Sequence, residues 1–138
     1  MVKTERIQAL NLELMQIASF NDFDGEQVVK DLKANRDLWR GAVMDRGAYS
    51  AAYQYSKEGM KAHLEPIDLI KLRDIQEGWN VDTLYIRPVI GREKDLEMLA
   101  RTWGADEVSW IAPEKAQTLL GGTLDKVGDF GILRVWWD

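Results

Sequence analysis

The chain contains no cysteine and a single histidine, His63, among its 138 residues. The absence of cysteine excludes disulfide scaffolds, thiolate metal sites and cysteine nucleophiles together. One histidine is too few for a two-histidine zinc site. Residues 21–26 resemble part of a calcium loop, but Phe20 stands where the first ligand would be. We therefore expect no metal site and no cofactor.

Long apolar runs and glycine-rich phosphate motifs are also missing. No stretch approaches the ~18 apolar residues of a membrane span, and residues 1–20 have no secretory apolar core. A cytoplasmic protein without membrane contact is the simplest expectation. The patterns G-x-G-x-x-G, G-x-x-x-x-G-K-[ST] and G-x-S-x-G do not occur, so these routes to nucleotide binding and hydrolysis have no support.

Basic residues are outnumbered, with 18 Lys and Arg against 23 Asp and Glu and a net charge of −5. Nucleic-acid binding through phosphates needs a basic surface, so we expect none. Apolar residues make up 46% and charged residues 30%, as in ordinary globular proteins. The length corresponds to one domain, residues 1–138. A chain of this length can bury a stable core without a disulfide or a bound metal.

The N-terminal quarter predicts two helices. The first covers residues 4–20. The second begins at Asp24, a helix-capping residue with Gln27 three positions on, and ends near Asn35. The first helix has one apolar stripe, formed by Ile7, Leu10, Leu14 and Ile17 and widened by Met15 and Ala18.

The last 60 residues predict strand, helix, strand, helix, strand at 82–88, 92–103, 107–111, 113–120 and 130–137. This order predicts a single compact α/β or α+β domain with a mixed sheet of about 4–5 strands. The spacing favours βαβ units with partly parallel pairing. The long link over 121–129 leaves an antiparallel α+β arrangement open.

The middle of the chain is less regular. Residues 38–44 fit either a buried strand or a further helical turn, and Gly41 weakens both interpretations. The tyrosines of residues 49–55 favour a strand. Residues 66–77 predict a helix.

Asp45, Arg46 and Tyr49 form the candidate catalytic cluster, directly after the apolar segment 38–44. Loops after strands often carry binding residues. Arg46 could clamp a carboxylate or phosphate, and Asp45 could orient it or act as a base. Arg87, at the end of a predicted strand, could join them. The simpler explanation is a tight turn with a local ion pair.

Six tryptophans are many for this length, and we expect Trp103 to face the core. In the last strand Trp137 shares a face with Leu133 and Val135, whereas Trp136 shares the other with Arg134. A central strand covered on both sides explains this pattern. An exposed Trp136 beside Arg134 would instead be an interface anchor, as would an exposed Trp79.

These observations favour a non-catalytic protein-binding or regulatory module over an enzyme. We expect its contact, with a protein partner or in a homodimer, to include Trp136 or Trp79, with Arg87 and Arg134 as further binding residues. The alternative is a small enzyme or carboxylate or phosphate binder that uses Asp45, Arg46 and Tyr49.

Overall fold

The computed structural model describes residues 2–18, 20–45, 75, 79, 81–119 and 131–138. In this part of the chain there are four α-helices: α1 (Lys3–Ile17), α2 (Gly25–Ala34), α3 (Glu93–Ala100) and α4 (Pro113–Leu119). The strands are β1 (Trp39–Asp45), β2 (Thr83–Pro88), β3 (Glu107–Ile111) and β4 (Ile132–Trp136). Short 3₁₀ turns, Arg36–Leu38 and Arg101–Trp103, precede β1 and follow α3.

The predicted α+β class and the βαβαβ order of the last 60 residues are confirmed. Residues 39–45 form a strand, which resolves the ambiguity of the segment 38–44. The interpretations of residues 49–55 and 66–77 lie outside the described residues, apart from Ile75, which is helical and exposed.

The sheet has the strand order β1-β2-β4-β3, and every pair of neighbours is antiparallel. Strands β2 and β3, which α3 joins, therefore run in the same direction but do not pair. Strand β4 lies between them, antiparallel to both, which makes a split βαβ unit. The partly parallel pairing favoured by the spacing is thus wrong, because the long chain between α4 and β4 lets β4 enter the gap.

Helix α2 begins where the sequence predicts. The Asp24 carboxylate accepts a hydrogen bond from the backbone N–H of Gln27 at 3.1 Å, which satisfies a donor left free at the helix start. The Gln27 side chain donates a hydrogen bond to the Asp31 carboxylate and does not bond back to Asp24. Of the two hydrogen bonds of a capping box, only the one accepted by the Asp24 side chain is therefore formed. Gly25 lies against the end of α1, and a Cβ there would overlap the carbonyl oxygen of Met15. The close approach of α1 and α2 therefore requires glycine.

The main core lies between one face of the sheet and helices α1, α2 and α3. Leu96, Ala100 and Trp103 face it, as predicted, and Gly104 ends the helical segment at φ 70° in the left-handed region that suits glycine. The sheet contributes alternate residues to this face: Ala42, Met44, Leu84, Ile86, Leu133 and Val135.

Three tryptophans fill much of this core, and each indole N–H has an acceptor. Trp39 donates to the carbonyl oxygen of Leu32 at 2.8 Å, and Trp137 donates to that of Trp103 at 3.3 Å. The Trp103 N–H donates to the Asp31 carboxylate at 2.9 Å. The large rings are therefore buried without leaving a polar group unsatisfied.

Helix α4 covers part of the other sheet face through Ala116, which packs with Tyr85 and Ile132. Strand β4 is therefore an inner strand and buries Leu133 and Val135 on one side and Ile132 on the other, whereas Trp136 is half-buried. No helix within the described ranges is long and apolar enough to cross a membrane.

Candidate functional site

Helix α1 buries apolar side chains on one side and exposes others on a second side. Leu12, Met15 and Ala18 are buried in the core. Ile7 and Leu10 are each 51% exposed, Ile17 is 76% exposed, and Leu14 is half-buried. We call Ile7, Leu10, Leu14 and Ile17 the α1 stripe. The helix therefore has an apolar arc wider than the surface that its own fold covers.

The α1 stripe follows the spacing of a helix–helix contact. Its members are separated by three, four and three residues, the a and d spacing at which one helix face meets a second helix. The residues that the sequence pattern treats as widening the stripe, Met15 and Ala18, are the ones that enter the core.

The orientation of α1 is set by hydrogen bonds to the edge strand β1. The Gln8 side chain donates to the carbonyl oxygen of Ala42 at 2.8 Å, and its own oxygen accepts from the Ala42 N–H at 3.0 Å. This amide pair replaces the bonds that a neighbouring strand would make, and so blocks the edge. Because Gln8 points at β1, the α1 stripe is turned outwards.

Opposite charges lie along one flank of the α1 stripe. Arg6 and Glu13 are both exposed and seven residues apart, so two helical turns place them on the same side. Lys3 is exposed in the first turn. Glu5 lies on the opposite side of the helix, where its carboxylate accepts a hydrogen bond from the N–H of Val2.

An open groove of about 390 Å³ lies where the end of α1 meets the start of α2. Ile17, Ala18 and Phe23 supply its apolar lining, and Asp24 and Glu26 supply exposed carboxylates. The groove continues from Ile17, so the α1 stripe ends beside acidic residues.

Four residues predicted from the sequence lie on the sheet face opposite the main core: Asp45, Arg87, Arg134 and Trp136. In the strand register Asp45 is opposite Thr83, which is opposite Trp136, and Tyr85 is opposite Arg134. The Arg134 guanidinium lies 5.9 Å from the centre of the Trp136 ring and pairs with Glu107 at 3.2 Å. Trp136 is half-buried. The structure therefore brings Arg134 and Trp136 together.

Arg87 is on the same face but at the other end of the β1–β2 ladder. It is opposite Gly41, four residues along β1 from Asp45, which corresponds to about 13 Å. Arg46 and Tyr49 lie outside the described residues. Trp79 is half-buried and packs against the main core, whereas Trp136 lies on the opposite face of the sheet.

Glu97 of α3 and Trp110 of β3 form a contact that sequence reasoning missed. The Trp110 N–H donates to the Glu97 carboxylate at 2.6 Å. The Arg101 guanidinium pairs with the same carboxylate at 3.1 Å. The indole hydrogen bond, and then the guanidinium, lower the pKa of Glu97. Trp110 is still 36% exposed. The contact joins α3 to the edge strand β3.

A second charged cluster joins α3 to the turn before β1. Arg92 pairs with Asp37 at 2.8 Å and with Asp95 at 3.0 Å. The carboxylates, Asp95 first, raise the pKa of Arg92, and the hydrogen bond from Arg92 lowers the pKa of Asp37. All three groups are exposed to solvent, so the cluster contributes little to stability.

No protein-family model, curated protein or solved structure matches this chain. The function therefore has to be argued from the residues themselves. Among the residues described, no three acidic or histidine side chains are grouped as metal ligands. Within the described ranges, α1 carries three of the exposed large apolar side chains, Ile7, Leu10 and Ile17, on one helix face. The sequence shows the α1 stripe as apolar through its helical spacing, and the width of the apolar arc is the signal that part of it is exposed.

Proposed function

We propose that the chain is a non-catalytic protein-binding module that contacts its partner through the α1 stripe. The observation that carries the proposal is the exposure of Ile7, Leu10 and Ile17 on one side of one helix. Scattered exposed apolar side chains are normal, but a row of them at contact spacing is typical of an interaction surface.

Two further features support this use of the helix. The Gln8 contacts to β1 hold α1 in place, so little order has to be gained on binding. The flanking charges of Arg6 and Glu13 would orient a partner without being buried at the centre. The contact expected at Trp136 or Trp79 stays a prediction, and both side chains are less exposed than Ile7, Leu10 and Ile17.

Site-specific photo-cross-linking tests the proposal in the cells that make the protein. A photoreactive residue at position 10 should form an adduct with a discrete protein, identified by mass spectrometry of the joined peptides. The matched control is position 98, because Met98 is an exposed apolar residue on α3. No adduct at position 10, or the same adducts at both positions, would contradict the proposal.

A second candidate function is the binding of a small carboxylate or phosphate. It is favoured by Arg87 and Arg134, which lie on neighbouring strands and on one sheet face. Diagonal neighbours of this kind can share an anion once the Arg134 guanidinium turns towards Arg87 from Glu107, its partner at 3.2 Å. Inorganic phosphate should then shift the amide resonances of β2 and β4 in the wild type but not in an Arg134→Gln variant. Unchanged resonances in the wild type would exclude this function.

A further inference from the structure

We propose that the partner of the α1 stripe is a second copy of this chain, with the two α1 helices antiparallel about a two-fold axis at Leu10. This inference rests on the proposed function and adds the identity and orientation of the partner. It follows from the self-complementary arrangement of apolar and charged side chains on α1.

The apolar side chains match under this symmetry. Leu10 is the midpoint of α1, so an axis there places Leu10 against Leu10 of the second copy. Ile7 of each copy then lies next to Leu14 of the other, because the positions that face each other are about equally far from the axis. A two-fold interface uses the same patch on both subunits, as this one does.

The charged side chains select the antiparallel orientation. Arg6 precedes the axis by four residues and Glu13 follows it by three. Each Arg6 therefore lies near Glu13 of the other copy, and symmetry makes this contact twice. In a parallel pair the two-fold axis would place these flanks on opposite sides of the contact, so Arg6 of one copy would not reach Glu13 of the other.

The ends of the helix are complementary as well. In the antiparallel pair the exposed Lys3 reaches the C-terminal end of the other α1. Helix C-termini attract cations because their last carbonyl groups lack partners. Asp24 and Glu26 add exposed carboxylates at the groove beside that end.

The expected affinity is modest. A helix of 15 residues is roughly 22 Å long, so two of them make a contact at the small end of specific interfaces. We expect a monomer–dimer equilibrium with a dissociation constant in the micromolar range. Sedimentation velocity at low salt, from about 1 to about 500 µM chain, covers that range.

Leu10→Glu should weaken the dimer by about 100-fold or more, because it places two carboxylates at the axis. Ile7→Glu is the second variant, since Ile7 is 51% exposed and lies next to Leu14 of the other copy. Met98→Glu is the matched control and should dimerise like the wild type. A wild type that is monomeric throughout, or a dimer that neither variant weakens, would overturn the inference.

Charge reversal tests the orientation. Arg6→Glu and Glu13→Arg should each weaken the dimer by about fivefold to tenfold. The double variant restores both contacts and should return to within about threefold of the wild type. Lys33→Glu, an exposed reversal on α2, should have no effect. Additive losses in the double variant would overturn the antiparallel arrangement.

Failure of this inference differs from failure of the proposed function. A monomeric wild type whose position 10 cross-links to a different protein overturns self-association and leaves the binding module intact. A monomeric wild type with no adduct at position 10 overturns both.

Discussion

Trp103 fills a large part of the main core. Its truncation to alanine is therefore the sharpest test of the fold. It follows α3 in the turn Arg101–Trp103 and is 8% exposed. Its N–H donates to Asp31 at 2.9 Å, and its carbonyl oxygen accepts from Trp137 at 3.3 Å. We expect Trp103→Ala to lower the free energy of unfolding by about 4 kcal/mol.

The magnitude follows from the buried area. A tryptophan buries roughly 150–250 Å², which at about 25 cal/mol per Å² is roughly 4–6 kcal/mol. The unfolded chain already hides part of this area, which lowers the figure, and the cavity left behind raises it. The lost hydrogen bond adds little, because Asp31 is only partly buried and water can replace the indole.

Urea unfolding followed by circular dichroism measures this change, with an unchanged m-value as the check on two-state behaviour. Trp103→Phe keeps most of the ring and should cost about 1–2 kcal/mol. The control Met98→Ala should stay within about 0.5 kcal/mol, because Met98 is 69% exposed. A loss below about 1 kcal/mol for Trp103→Ala would refute the placement of Trp103 in the core.

Three further variants test local contacts. Gly25→Ala should destabilise by about 2 kcal/mol or more in urea unfolding, because its Cβ would overlap a carbonyl oxygen of α1. Gln8→Ala should cost about 1–3 kcal/mol by the same assay for its two hydrogen bonds to β1, whereas the exposed Gln16→Ala should be near neutral. The pKa of Glu97 is lowered by the Trp110 N–H, so its contribution to stability is present above its unfolded pKa and is lost as pH falls through the folded pKa. NMR titration of Trp110→Phe should show a higher Glu97 pKa, and an unchanged pKa would show that the indole is not its main cause.

Sequence periodicity predicted α1 but not its orientation. Apolar residues cover so wide an arc of this helix that two faces compete for the core. The choice depends on Gln8, whose amide pairs with β1, and a glutamine at this position carries no such signal in a sequence. The exposed stripe could therefore be predicted as apolar but not as a surface.

The order of the strands in the sheet could not be predicted from local sequence patterns either. Each strand and helix of the last 60 residues follows from its own periodicity and caps, such as Gly104. The position of β4 between β2 and β3 depends on long-range pairing, because a long link permits either an edge or a central place. That one insertion separates β2 from β3 and so removes the parallel pair that the spacing favoured.

The candidate residues were predicted in part. Alternation within β4 correctly put Trp136 on one face with Arg134, and Trp137 on the other with Leu133 and Val135. The distance between Asp45 and Arg87 depends on the register in which β1 pairs with β2. This register cannot be predicted from the sequence of either strand alone. Trp110 was missed because its contact with Glu97 joins two elements that are separate in the sequence.

The absence of cysteine makes one measurement especially direct. A Leu10→Cys variant carries a single thiol, and in the antiparallel pair it lies at the two-fold axis, within the ~7 Å between Cα atoms that a disulfide can span. Under mild oxidation we predict a covalent dimer joined through position 10, while Met98→Cys stays monomeric. No dimer through position 10, or equal dimer from both variants, would contradict the pairing of α1 with a second copy.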